Sequence, residues 1–159
     1  MSVLGTFGSG DVLTAAQLNQ FNNVTALYGS TTTVPSATTT PLQFSSASQV
    51  IVDSSDWHST TTNPSRVTVN QNGIYFVTVG MQYNYNGAAA AFFLSITKNG
   101  GIIVDSGAYS GYFPAVNNSA IFECNSGDYI EATCYQTSGG TFGALGNRNQ
   151  LAVMLLRTT

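Results

Sequence analysis

The dominant periodicity along this chain is two. From residue 42 onward, apolar and polar side chains alternate in short runs separated by Gly, Asn, Asp and Pro, the pattern of half-buried strands. Residues 74–83 are the clearest case: Tyr75, Val77, Val79, Met81 and Tyr83 fall on one face, and Ile74, Phe76 and Thr78 on the other. Further strands are predicted over 49–53, 66–70, 90–98, 101–106, 115–124, 128–136 and 149–157. Asn99-Gly100 joins two of these with the strongest short hairpin signal. Asn125-Ser126-Gly127 is expected to turn a second hairpin, between 115–124 and 128–136. Eight or more short strands at such spacing predict an all-β, antiparallel sandwich or jelly roll.

The last predicted strand departs from clean alternation. LAVMLL (151–156) is apolar on both faces, whereas an antiparallel strand with one wet face should alternate. It must be covered on both sides, by a second sheet plus the N-terminal segment or by another subunit. Leu151, Val153 and Leu155 are the candidate subunit-interface residues.

The N-terminal part reads differently. Thr14 and Gln17 form a capping box, Leu13 and Leu18 a hydrophobic staple, and Gly29 suits a helix C-terminus. The spacing predicts a helix over 15–28, about 14 residues and roughly 21 Å long. A helix this short is marginal alone in water, so Leu13, Leu18, Phe21, Val24 and Tyr28 need an external surface and are the candidate attachment residues. Residues 30–41, STTTVPSATTTP, read as a Thr/Ser/Pro linker. The predicted organisation is therefore an attachment segment over 1–29, a linker over 30–41 and a β domain over 42–159.

Composition narrows the function. The 159-residue chain is 43% hydrophobic, enough for one core, but only 7% charged, against about 25% for an average soluble protein. Its polar surface must be built from Ser, Thr, Asn, Gln and Gly, as in extracellular or virion β proteins. A net charge of −3 with four basic residues argues against nucleic acid and anionic membranes, both of which need clustered Lys and Arg. No apolar run approaches the roughly 20 residues of a membrane span. The N-terminus lacks the basic and apolar regions of a signal peptide. Cys124 and Cys134 sit at different distances from the turn between them and are expected to be free, buried thiols.

Candidate chemistry is sparse. His58 is the only histidine, so a nucleophile–base–orienter set has one base to draw on; beside Trp57 in a Ser/Thr-rich stretch, it reads as structural. Asp53 and Asp56 could supply carboxylates to calcium, but turn aspartates commonly bond their own backbone, and Asp128 after Gly127 reads the same way. No enzyme activity, metal or cofactor is expected. Tyr83, Tyr85, Tyr109, Tyr112 and Phe113 fall at strand ends and in a loop. They are candidate ligand contacts, because aromatic faces suit sugars and tyrosine suits protein interfaces; the alternative is that they fill the rim of the sandwich.

Several motifs, in order, resemble a known superfamily. The run HSTTTNPSRVTVNQNGIYFVTVGMQY (58–83), then TKNGG (97–101), then SGDYIEATCYQ (126–136) is similar to the jelly rolls of complement globular heads and tumour-necrosis-factor-like proteins. The NPSR…GIY version and the opening GDVLTAAQLN (10–19) resemble tailed-phage structural proteins. The resemblance implies a jelly roll of about ten strands, preceded here by the short helix and assembled as a homotrimer without enzymatic activity. It further implies a place in the virion, as a head-fibre, decoration or tail-fibre component anchored to capsid, tail or baseplate proteins. The alternative it leaves open is a receptor-binding adhesin whose loops recognise a host surface glycan or protein. The chain lacks the acidic clusters that bind calcium in some members of the superfamily.

Overall fold

The computed structural model describes residues 23–159. The alternation in 74–83 becomes β6 (Gly73–Gln82), with Tyr75, Val77, Val79 and Met81 buried. Around it lie β1 (Val24–Tyr28), β4 (Val50–Asp53), β9 (Ala115–Cys124) and β12 (Gln150–Thr158), in the order β4-β1-β12-β6-β9. A second sheet runs β3 (Thr40–Pro41), β10 (Tyr129–Gln136), β7 (Asn86–Lys98), β8 (Gly101–Tyr112), with β5 (Val67–Thr68) also paired to β10. A short ribbon pairs β2 (Thr33–Pro35) with β11 (Thr141–Gly143). All these pairings are antiparallel. The inward faces of the two large sheets meet in one core that includes Leu27, Phe44, Trp57, Tyr75, Phe92, Leu94, Ile130 and Val153. The result is the jelly-roll sandwich expected from the sequence, with twelve strands among the described residues rather than about ten.

Three expectations need correction. The predicted helix does not reach residue 28. Val24–Tyr28 is strand β1, hydrogen-bonded to β4 on one side and β12 on the other. VTALY satisfies period two as well as period 3.6: Thr25 and Leu27 point into the core at 0% exposure while Val24, Ala26 and Tyr28 point outward. β-Branched Val24 and Thr25 favour the strand, and partner strands on both sides supply ladder bonds. Gly29, at φ +81°, ends a strand instead of a helix. The capping box and Leu13, Leu18 and Phe21 lie outside the described residues.

The linker over 30–41 is part of the sandwich. Val34 and Leu42 are fully buried, and β2 and β3 pair with β11 and β10. Thr is a good strand former, and Pro35 and Pro41 sit at strand ends where a missing N–H is tolerated. Buried Gln136 fixes this segment by donating from Nε2 to Val34 O (3.0 Å) and Gly140 O (2.7 Å).

The turn at 125–127 does not close a hairpin. Asn125 to Asp128 form the expected tight turn, with Asp128 N–H donating to Asn125 O at 3.0 Å. The strands it joins then part: β9 pairs β6 in the first sheet, and β10 pairs β7 in the second. The bonds Gly127 N–H to Val69 O and Val69 N–H to Asp128 O hold the crossover in place. Turn chemistry reads the local reversal and carries no information about which partner each strand takes. Cys124 and Cys134 thus belong to opposite layers, and both are free and buried.

Candidate functional site

Leu151, Val153 and Leu155, expected at a subunit interface, point into the chain's own core at 0%, 0% and 3% exposure. The strand is apolar on both faces because the opposite face is apolar too: Ala152, Met154 and Leu156 look outward, the last two about 40% exposed. Cover by the second sheet accounts for one side, and no described residue covers the other.

Register shows that this bare side is continuous. On the outer face of the first sheet, Val24 lies opposite Met154, Met154 opposite Phe76, and Phe76 opposite Ile121. An apolar row therefore crosses four strands, ending at Ile121, which is 64% exposed. The next row, Val52–Ala26–Ala152–Thr78–Ser119, is small and weakly polar. Beyond it Tyr28, Gln150, Gly80 and Asn117 form an amide-rich row, and at the opposite end Ile74 lies between Arg157 and Glu123. An apolar centre with polar margins is the anatomy of a protein interface, and large apolar patches on a monomer mark interaction sites. The sequence carried a signal for this face that the interface assignment missed. Phe76 and Ile121 stand at positions that alternation reserves for polar residues.

The aromatic candidates divide. Tyr83 and Tyr85 are core residues: they stack on Phe92 at 4.8 and 5.0 Å, and their hydroxyls donate to Phe93 O and Ala88 O, each at 2.5 Å. The tyrosine pattern at a strand end does not distinguish a rim ring from a core ring. Tyr109 and Tyr112 are 77% and 70% exposed on β8. Phe113, at φ +37° and half-buried, meets Tyr112 edge-on at 4.8 Å.

His58, Asp53 and Asp128 are engaged in structure. His58 sits between two backbone carbonyls, Nδ1 2.9 Å from Arg66 O and Nε2 2.9 Å from Phe44 O. Asp53 accepts from the Thr25 hydroxyl (2.6 Å) and from the backbone N–H groups of Trp57 and His58, which ties β4 to β1 and shapes the following turn. Asp128 accepts from Asn99 Nδ2 at 2.7 Å and from Asn125 N–H, and these bonds, with Lys98 nearby, lower its pKa. Burial pushes the Cys124 thiol up to about 11 and the Cys134 thiol to about 12, so both stay protonated at neutral pH and neither is an activated nucleophile. Among the described residues, no three His, Cys, Asp or Glu side chains converge as a metal site, and no helix is long and apolar enough to cross a membrane.

The chain is similar in structure to the globular domain of zebrafish complement 1qA protein at a TM-score of 0.58, with 10% sequence identity over 86% of this chain and 99% of that one. It also matches rabbit GITRL at a TM-score of 0.44 and 24% identity, covering 60% of this chain and 74% of that one. No family model and no curated protein matches the chain. Identities at this level show the jelly-roll fold alone.

Proposed function

We propose that the chain is a non-enzymatic virion structural protein: a homotrimeric head-fibre, decoration or tail component, attached to the particle by its N-terminal residues 1–22. The observation that carries this reading is the apolar row Val24–Met154–Phe76–Ile121 on the outer face of the first sheet. A face of this kind is stable in water when another copy covers it, and the resemblance to the trimeric jelly-roll superfamily supports threefold closure. A surface poor in charge suits a packed assembly. Asp53 and Asp128 held in turns, a histidine held between two carbonyls and protonated thiols support a role without catalysis.

The test separates assembly from attachment. Removing residues 1–29 would also strip β1 from between β4 and β12, so the informative truncation ends at residue 22. That protein should fold and form the same oligomer as the full chain, yet fail to enter particles in a complementation assay. Normal incorporation overturns the attachment role. A monomeric truncation beside a trimeric full chain would transfer assembly to residues 1–22.

Exposed Tyr109 and Tyr112 favour a second reading, a receptor-binding adhesin. Replacing both with Ala should then reduce host-cell adsorption while leaving assembly intact.

A further inference from the structure

The second sheet carries a cleft on the face turned away from the core. Its floor is one register row: Thr133 on β10 lies opposite Ser95 on β7, which lies opposite Asp105 on β8. The adjacent row sets Tyr135 opposite Phe93 and Phe93 opposite Gly107. The two rings stand 6.1 Å apart, tilted by 57°. A Cβ at Gly107 would come within 2.7 Å of the Phe93 ring, so the missing side chain is what lets that ring lie across β8. Thr39, Ile102 and Cys134 complete the lining of an open cleft of about 280 Å³. That is just below the roughly 300–1,000 Å³ of typical small-molecule sites, a space for one small ring.

Its polar groups are set to receive a ligand. The Ser95 hydroxyl donates to Asp105 Oδ1 at 2.8 Å, and Asp105 Oδ2 takes no hydrogen bond from any described residue. Thr133 is 8% exposed, and its Oγ1 has no hydrogen-bond partner among the described residues. An unpaired buried hydroxyl costs about 1–3 kcal/mol, a cost that a ligand hydroxyl would remove. The lining holds one carboxylate and no Lys, Arg or His.

We propose that this cleft is a binding site for a neutral pyranose sugar. The apolar face of the ring would lie against Phe93 and Tyr135, and its hydroxyls would bond Asp105 and Thr133. A polyol matches the set because each hydroxyl both donates and accepts, as an acceptor carboxylate beside a free hydroxyl requires. Acidic sugars and phosphates are excluded by Asp105, which no cation in the cleft offsets. The site gives the adhesin reading a ligand class and a location away from Tyr112.

Saturation-transfer NMR on the intact chain tests it, with glucose, galactose, mannose and N-acetylglucosamine as probes and N-acetylneuraminic acid as the acidic control. At least one neutral sugar should bind with a millimolar Kd, while the acidic sugar gives no transfer. Thr133→Val keeps the side-chain volume and removes the unpaired hydroxyl, so it should fold and weaken binding about ten-fold; Asp105→Asn should also weaken it. Tyr112→Ala should leave it unchanged. No transfer from any neutral sugar, equal binding by T133V and D105N, or preference for the acidic sugar would each overturn the assignment. The native mass of the same samples reports assembly separately, so failure here is distinguishable from failure of the virion reading.

Discussion

Gln136→Met would show whether residues 30–41 belong to the folded domain. Gln136 is fully buried and makes four hydrogen bonds: Nε2 to Val34 O and to Gly140 O, and Oε1 from the Ser138 N–H (2.7 Å) and hydroxyl (2.5 Å). Methionine has similar length and volume, so the change is almost purely one of hydrogen bonding. The four bonds lost are worth about 1–1.5 kcal/mol each. The total, about 4–6 kcal/mol, is a large fraction of a typical domain's stability. At 2–4 °C per kcal/mol for a chain of this size, the melting temperature should fall by roughly 10–20 °C. Thermal unfolding by circular dichroism reads this directly, and amide exchange should show the Val34–Phe142 pair losing protection first. A shift below about 2 °C, with Val34 still protected, would refute the assignment of this segment to the sandwich.

Other outcomes follow from the same structure. Ile121→Lys places a charge at the end of the apolar row; burying an isoleucine is worth about 1.5–3 kcal/mol, and with 64% of it exposed roughly 1–2 kcal/mol per protomer is at stake. Over three protomers this weakens the trimer by roughly 10²–10⁴-fold, which sedimentation velocity should show as dissociation with an unchanged circular dichroism spectrum. The buried thiols give stability a pH slope. Their folded values, about 11 and about 12, exceed the ordinary 9.0, so the folded state holds more protons above pH 9 and stability falls as pH rises through that window. Melting temperatures between pH 7 and 11 should decline from about pH 9, and Cys124→Ala with Cys134→Ala should flatten the decline that the thiols contribute. Asp128 acts in the opposite direction: its lowered pKa contributes stability above the unfolded value that is lost on acidification, and Asn99→Ala should shrink that acid dependence.

How far the sequence disclosed this molecule depends on which interactions are local. The strand positions of β6, β9 and β10 followed from alternation, because a half-buried pleat imposes period two wherever one face is wet, while β12 stood out as an apolar run closing the chain. The inward set Tyr75, Val77, Val79 and Met81 was legible for the same reason. Partner choice was not. The 125–127 turn looked like a hairpin, yet its strands go to different sheets, a decision made by contacts with β6 and β7 far away in sequence. Residues 24–28 satisfied two periodicities at once, and only the flanking strands β4 and β12 resolve them. An extra apolar face on the last strand was visible in the sequence, but Leu151, Val153 and Leu155 pack into the chain's own core, and Met154 and Leu156 form the outward face. The row through Phe76 and Ile121 is assembled by register across four strands, which no single segment records. The cleft between Thr133, Ser95 and Asp105 is likewise a product of register.

The account rests on the outer face of the first sheet being covered by other copies of the chain. Sedimentation equilibrium on the full chain, from nanomolar to micromolar, measures this most directly. It should return three times the 16.7 kDa chain mass across the micromolar range. A folded, monodisperse monomer at those concentrations, with Ile121 and Met154 open to solvent, would contradict it.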